Sequence, residues 1–128
     1  MAKKNKPFVD NSQVSVDFNT PITDERGALI FMNSPMKGGE PYQLTLAEAV
    51  ITGLSKIDVD KCTERQRAQR GNLISKIADA TEPITLSKNT CDFLFSLIEK
   101  TDYTLPIVNA RCAKLLGVEI AFDESELG

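Results

Sequence analysis

The chain contains no histidine. That absence removes the side chain that titrates near neutral pH, and with it the usual general base and the commonest metal ligand. Ser-His and Cys-His nucleophile pairs cannot be built. Cysteine is scarce as well. Cys62, Cys91 and Cys112 are odd in number and scattered, whereas a disulfide framework shows an even set and a zinc knuckle needs closely paired thiols. Cys91 and Cys112 fall among apolar residues, where a thiol acts as a small hydrophobe, and the expected compartment is a reducing cytoplasm. No stretch approaches the roughly 18 apolar residues that cross a bilayer. The basic start, Met1-Ala2-Lys3-Lys4-Asn5-Lys6, runs into Pro7-Phe8-Val9-Asp10 with no apolar core of a signal peptide. A soluble, unprocessed protein with no membrane association is expected.

What is present is ordinary globular composition. The 128 residues are 41% hydrophobic and 26% charged, which suits one compact domain. Fifteen Lys and Arg against 18 Asp and Glu give a net charge of -3, which excludes a generally basic nucleic-acid binder. Residues 1–12 read as a flexible basic arm, 13–122 as a single domain and 123–128 as an acidic, frayed tail.

Val14-Ser15-Val16-Asp17-Phe18 alternates as a half-buried strand does, and Ala28-Leu29-Ile30-Phe31-Met32 is a short apolar run suited to a second strand. Turn chemistry at Asn19-Thr20-Pro21 and Asp24-Glu25-Arg26-Gly27 lies between them, and the two are expected to pair as a hairpin. Thr45-Leu46-Ala47-Glu48 and Thr63-Glu64-Arg65-Gln66 have the spacing of capping boxes. They predict one helix with Leu46, Val50, Ile51 and Leu54 inward, and a second running to about Ala80 on Leu73, Ile74 and Ile77. Ser87 predicts the cap of a third helix, whose stripe is Cys91, Leu94, Phe95 and Ile98, with Phe93 and Leu97 as a second apolar edge. Pro106 opens a fourth on Val108, Cys112 and Leu115, which Gly117 ends. Val118-Glu119-Ile120-Ala121-Phe122 adds a short strand. The expected fold is α+β and mainly helical, an N-terminal β-hairpin followed by four α-helices.

Chemistry-bearing patterns are thin. Ser55-Lys56 and Ser87-Lys88 are adjacent pairs whose side chains diverge by about 100 degrees on a helix, so they read as a solvated face and a cap. Asp58-Val59-Asp60 lacks the glycine and distal glutamate of a calcium loop. Lys37-Gly38-Gly39-Glu40 lacks the order of a phosphate loop and reads as a turn. No catalytic residue, metal or cofactor is expected.

Two surfaces remain. Lys61, Arg65, Arg67 and Arg70 form a local basic cluster. At about 100 degrees per residue from Arg65, Arg67 lies near 200, Arg70 near 140 and Lys76 near 20 degrees, with Arg70 on the side of Leu73, Ile74 and Ile77. The cluster spreads around its helix instead of lining one stripe. The third helix has an apolar arc wider than one small core covers, so it is either central or partly turned toward another molecule.

The order of these pieces is similar to that of small accessory proteins encoded by bacteriophages and prophages. The resemblance rests on Asp17-Phe18-Asn19-Thr20-Pro21-Ile22, Leu44-Thr45-Leu46-Ala47-Glu48-Ala49-Val50, Leu73-Ile74-Ser75-Lys76-Ile77, Leu86-Ser87 and the 94–98 and 106–116 helices. It covers about residues 14–117, with a longer loop here from Met32 to Gln43. It implies a phage setting, in the host cytoplasm or on the virion, and carries no catalytic residues. The expected function is a non-enzymatic, self-associating protein-interaction module, serving virion assembly or binding a host protein, with Phe93, Leu97 and Phe31 as interface residues. The alternative is a nucleic-acid-associated regulator using Lys61, Arg65, Arg67 and Arg70.

Overall fold

The computed structural model describes residues 12–33, 38–56, 60–100 and 105–127. The expected arm with Lys3, Lys4 and Lys6, the Ser34-Pro35 part of the long loop and the Asp58-Val59 pair lie outside them. The described elements are β1 (Gln13–Val16), β2 (Phe31–Asn33), β3 (Pro41–Gln43), α1 (Leu46–Ser55), α2 (Glu64–Ala78), β4 (Ile84–Ser87), α3 (Lys88–Glu99) and α4 (Pro106–Leu115). The fold is α+β and mainly helical, with four α-helices and two small antiparallel strand pairs among the described residues.

The strand partners differ from the expected hairpin. β1 pairs with β4, in the register Val14 opposite Leu86 and Val16 opposite Ile84. β2 pairs with β3, Phe31 opposite Gln43. The physical reason lies in the period of two. Val14, Val16, Ile84 and Leu86 all belong to the core or pack against it, so joining β1 to β4 places four apolar side chains on one buried face.

The turn after β1 has a second task. Phe18 and Thr20 accept hydrogen bonds from the backbone N–H groups of Ala47 and Leu46, at 2.8 and 3.0 Å. Those are among the N–H groups that a helix start leaves without an intrahelical partner. The Thr45 hydroxyl accepts from the Glu48 N–H at 3.3 Å. Asn19 reaches the other way, its Nδ2 donating to the Ala80 carbonyl at 3.1 Å beyond the end of α2.

The helix ends follow the sequence signals closely. Thr63 and Gln66 exchange both bonds of a capping box at the start of α2, at 3.0 and 2.9 Å. The Ser87 hydroxyl accepts from the Thr90 N–H at 3.2 Å. At the end of α4 the Gly117 N–H donates to the Lys114 carbonyl and Val118 to Ala113, and Gly117 has φ +72°. This is a Schellman motif, whose left-handed residue favours glycine.

α3 is the central helix. It packs against α1, α4, β1 and β4, and buries Cys91, Leu94, Phe95, Leu97 and Ile98. α2 is peripheral: Ile77 is its buried residue, while Leu73 and Ile74 are half-buried. It ends at Ala78, short of Ala80. In α4 the fully buried companion of Val108 and Cys112 is Leu116 rather than Leu115. Residues 118–122 form no strand. They follow the Schellman turn as irregular, largely exposed chain, and a short 3-10 turn at Glu124–Glu126 comes after them. No helix among the described residues is long and apolar enough to cross a membrane.

Candidate functional site

The two apolar edges of α3 meet different fates. Leu97 is 7% exposed and faces α1 at Gly53, so it is a core residue and not the interface residue expected from sequence. Phe93, one turn earlier, leaves 43% of its surface open. The wide apolar arc is thus divided, one part packed by α1 and the other left at the surface.

Phe93 does not stand alone. The Arg70 guanidinium lies over its ring, 5.7 Å from the centroid, within reach of a cation–π attraction. The same guanidinium is positioned by α1: its Nη1 donates to the carbonyls of Lys56 at 3.2 Å and Leu54 at 3.4 Å. These carbonyls lie at the C-terminal end of that helix, where partners are lacking and a cation is favoured. Arg70 therefore joins three helices.

Beside this pair is a half-open groove of about 320 Å³ between the end of α1, the Lys61-Cys62 turn, α2 and α3. Leu54, Leu73 and Phe93 give it an apolar floor, and Gln66, Gln69 and Lys61 give it polar walls. Its charged lining is Lys61 and Arg70, with no carboxylate among the described residues that face it. Cys62 is half-buried on its edge. The composition is an apolar floor with cationic and amide groups at the rim, which suits an apolar side chain accompanied by a carboxylate or carbonyl.

The four basic residues singled out from sequence are therefore not one patch. Arg70 lines the groove and closes α1. Arg67 turns back to its own helix start, its Nη1 donating to the Cys62 carbonyl at 2.8 Å. Arg65 is exposed and lies outside the lining, and Lys61 sits at the groove's mouth. Two of the four, Arg67 and Arg70, each use Nη1 to donate to backbone carbonyls. Phe31 is 60% exposed on β2 and does not line this groove.

The buried thiols are chemically quiet. Burial pushes Cys91 above its ordinary value and Cys112 up to about 12, which keeps both protonated and poorly nucleophilic at neutral pH. Among the described residues no three His, Cys, Asp or Glu side chains come together as a metal site.

No protein family matches this chain, and comparison with curated proteins and with solved structures gives no match either.

Sequence reasoning missed Leu54, Leu73, Gln66 and Gln69 as partners of Phe93. One signal was available. Arg70 falls, by helical phase, on the apolar side of α2, and an arginine there has to reach an acceptor or an aromatic face.

Proposed function

We propose that this chain is a non-enzymatic protein-interaction module that self-associates through the α2–α3 groove around Phe93. One observation carries the reading: a partly exposed aromatic ring under an arginine, lining a partly apolar groove to which the central helix of the core contributes that ring. Aromatic residues and arginine are the side chains most enriched at the energetic centres of protein interfaces. A contact built on α3 is also held rigid, so little ordering free energy is lost on association. In the phage setting that the sequence resemblance implies, the role we propose for such a module is virion assembly or contact with a host protein.

Light scattering across a concentration series tests this. The wild-type mass is expected to rise above 14.1 kDa with concentration, and Phe93→Glu to remain monomeric with an unchanged circular dichroism spectrum. A wild-type mass that stays at the monomer value throughout contradicts the reading.

A further inference from the structure

We infer that the partner seated in the α2–α3 groove is the C-terminal segment, residues 120–127, of a second copy of this chain. The inference rests on the proposed self-association and names its two halves. Beyond the Schellman turn the chain leaves three large apolar side chains almost uncovered: Ile120 at 62%, Phe122 at 77% and Leu127 at 70% exposure. Between them stand Asp123, Glu124 and Glu126. An apolar side chain flanked by carboxylates is the complement of a groove whose floor is Leu54, Leu73 and Phe93 and whose charges are Lys61 and Arg70. Complementary charge of this kind fixes orientation and excludes wrong partners.

Local structure favours the segment as a ligand. Asp123 Oδ1 accepts from the Ser125 N–H at 3.0 Å and from its hydroxyl at 2.7 Å, closing the 3-10 turn at Glu124–Glu126. Those two bonds hold the Asp123 carboxyl below its ordinary value, so it is anionic across the neutral range. A preformed turn loses less conformational freedom on docking than an extended tail. Size agrees too. A groove of about 320 Å³ is at the small end of ligand sites, enough for the Phe122 ring and an adjacent carboxylate.

The two surfaces are separate on one molecule. The segment leaves α4 at Gly117, where the Lys88 ammonium at the start of α3 donates to the Gly117 carbonyl at 3.4 Å and Val14 of β1 packs alongside. None of the groove's lining residues belongs to it. Tail into groove either is reciprocal, two copies exchanging segments about a two-fold axis, or repeats in one direction and gives a ring or a linear chain of copies.

Two full-length variants test this. Phe122→Ser disables the tail and keeps the groove; Phe93→Glu disables the groove and keeps the tail. Phe122 is 77% and Phe93 43% exposed, and a circular dichroism spectrum matching the wild type, with a single cooperative urea transition, confirms that each variant is folded. Each alone is expected to be monomeric by sedimentation velocity. Mixed in equal amounts, they are expected to form a complex of two chains and no larger, since one intact tail and one intact groove remain to make a single junction. That complex should weaken several-fold as salt rises, as an ion-paired contact does. If the wild type associates but the mixture stays monomeric, or if Phe122→Ser associates like the wild type, the tail-and-groove assignment is overturned while self-association stands. A wild type that remains monomeric removes both.

Discussion

A Cβ atom placed on Gly53 of α1 would lie 3.0 Å from the Cβ of Leu97 on α3, and 3.3 Å from the Leu97 carbonyl carbon. The glycine marks the closest approach of the two helices, and the neighbour is backbone that cannot swing aside. In an open helix Gly→Ala gains about 0.8–1 kcal/mol. At Gly53 the overpacking cost of about 1–3 kcal/mol outweighs that gain. Gly53→Ala should therefore lower the urea midpoint, and Gly53→Val should lower it further. A midpoint raised by the alanine would show that the helices can separate at no cost.

The division of α3 into a packed and an open edge is tested by a matched pair. Leu97→Ala should cost about 2–5 kcal/mol, the range for a truncated core leucine. Phe93→Ala should cost about 1 kcal/mol or less in dilute monomer, chiefly the lost contact with Arg70. Equal costs in chemical denaturation would mean that Phe93 belongs to the core.

Arg70 and Arg65 are close in sequence but differ in what they hold. Arg70→Ala leaves the Leu54 and Lys56 carbonyls without their guanidinium donor and should cost about 1–2 kcal/mol. Arg65→Ala, at an exposed position, should fall within about 0.5 kcal/mol of zero. If the two behave alike, Arg70 does not close the end of α1.

The thiols give a pH test with a definite sign. Cys112 is raised from 9.0 to about 12 by burial. Below pH 9 it is protonated in both folded and unfolded chains, so its contribution to stability is fully present. From pH 9 to 12 only the unfolded chain gives up the proton, and that stability is lost as pH rises, at about 1.4 kcal/mol per pH unit at its steepest. Cys112→Ala should flatten this fall in a series of urea titrations. Native protein at neutral pH should react with a thiol reagent at Cys62 first, with Cys91 and Cys112 reacting only after unfolding.

What could be read in the sequence is what four or five neighbouring residues decide. Thr63 with Gln66, Ser87 and Gly117 marked helix ends correctly because each cap is closed within one turn, and Pro106 because its ring suits the first turn of α4. Strand pairing is decided by distant residues. Ile84-Thr85-Leu86 alternates as β1 does, but it is short and lies between two strong helix signals, so its pairing with Val14 and Val16 went unseen. Pro41–Gln43 was hidden in the same way inside a loop. Phe93 was legible as a surplus apolar residue. That Arg70 would stack on it, and that Leu97 would instead meet Gly53, depends on how three helices cross, and no local pattern encodes that.

The most direct test of the central claim is a photo-crosslink from the groove itself. A benzoylphenylalanine at position 93 keeps an aromatic ring where Phe93 stands, and one at Thr85, exposed on β4, serves as control. Irradiation of the purified chain should give, from position 93 alone, a covalent product of twice 14.1 kDa that fades on dilution. Monomer alone from position 93, at concentrations where the chain is densely packed, would contradict the claim that this groove receives another protein.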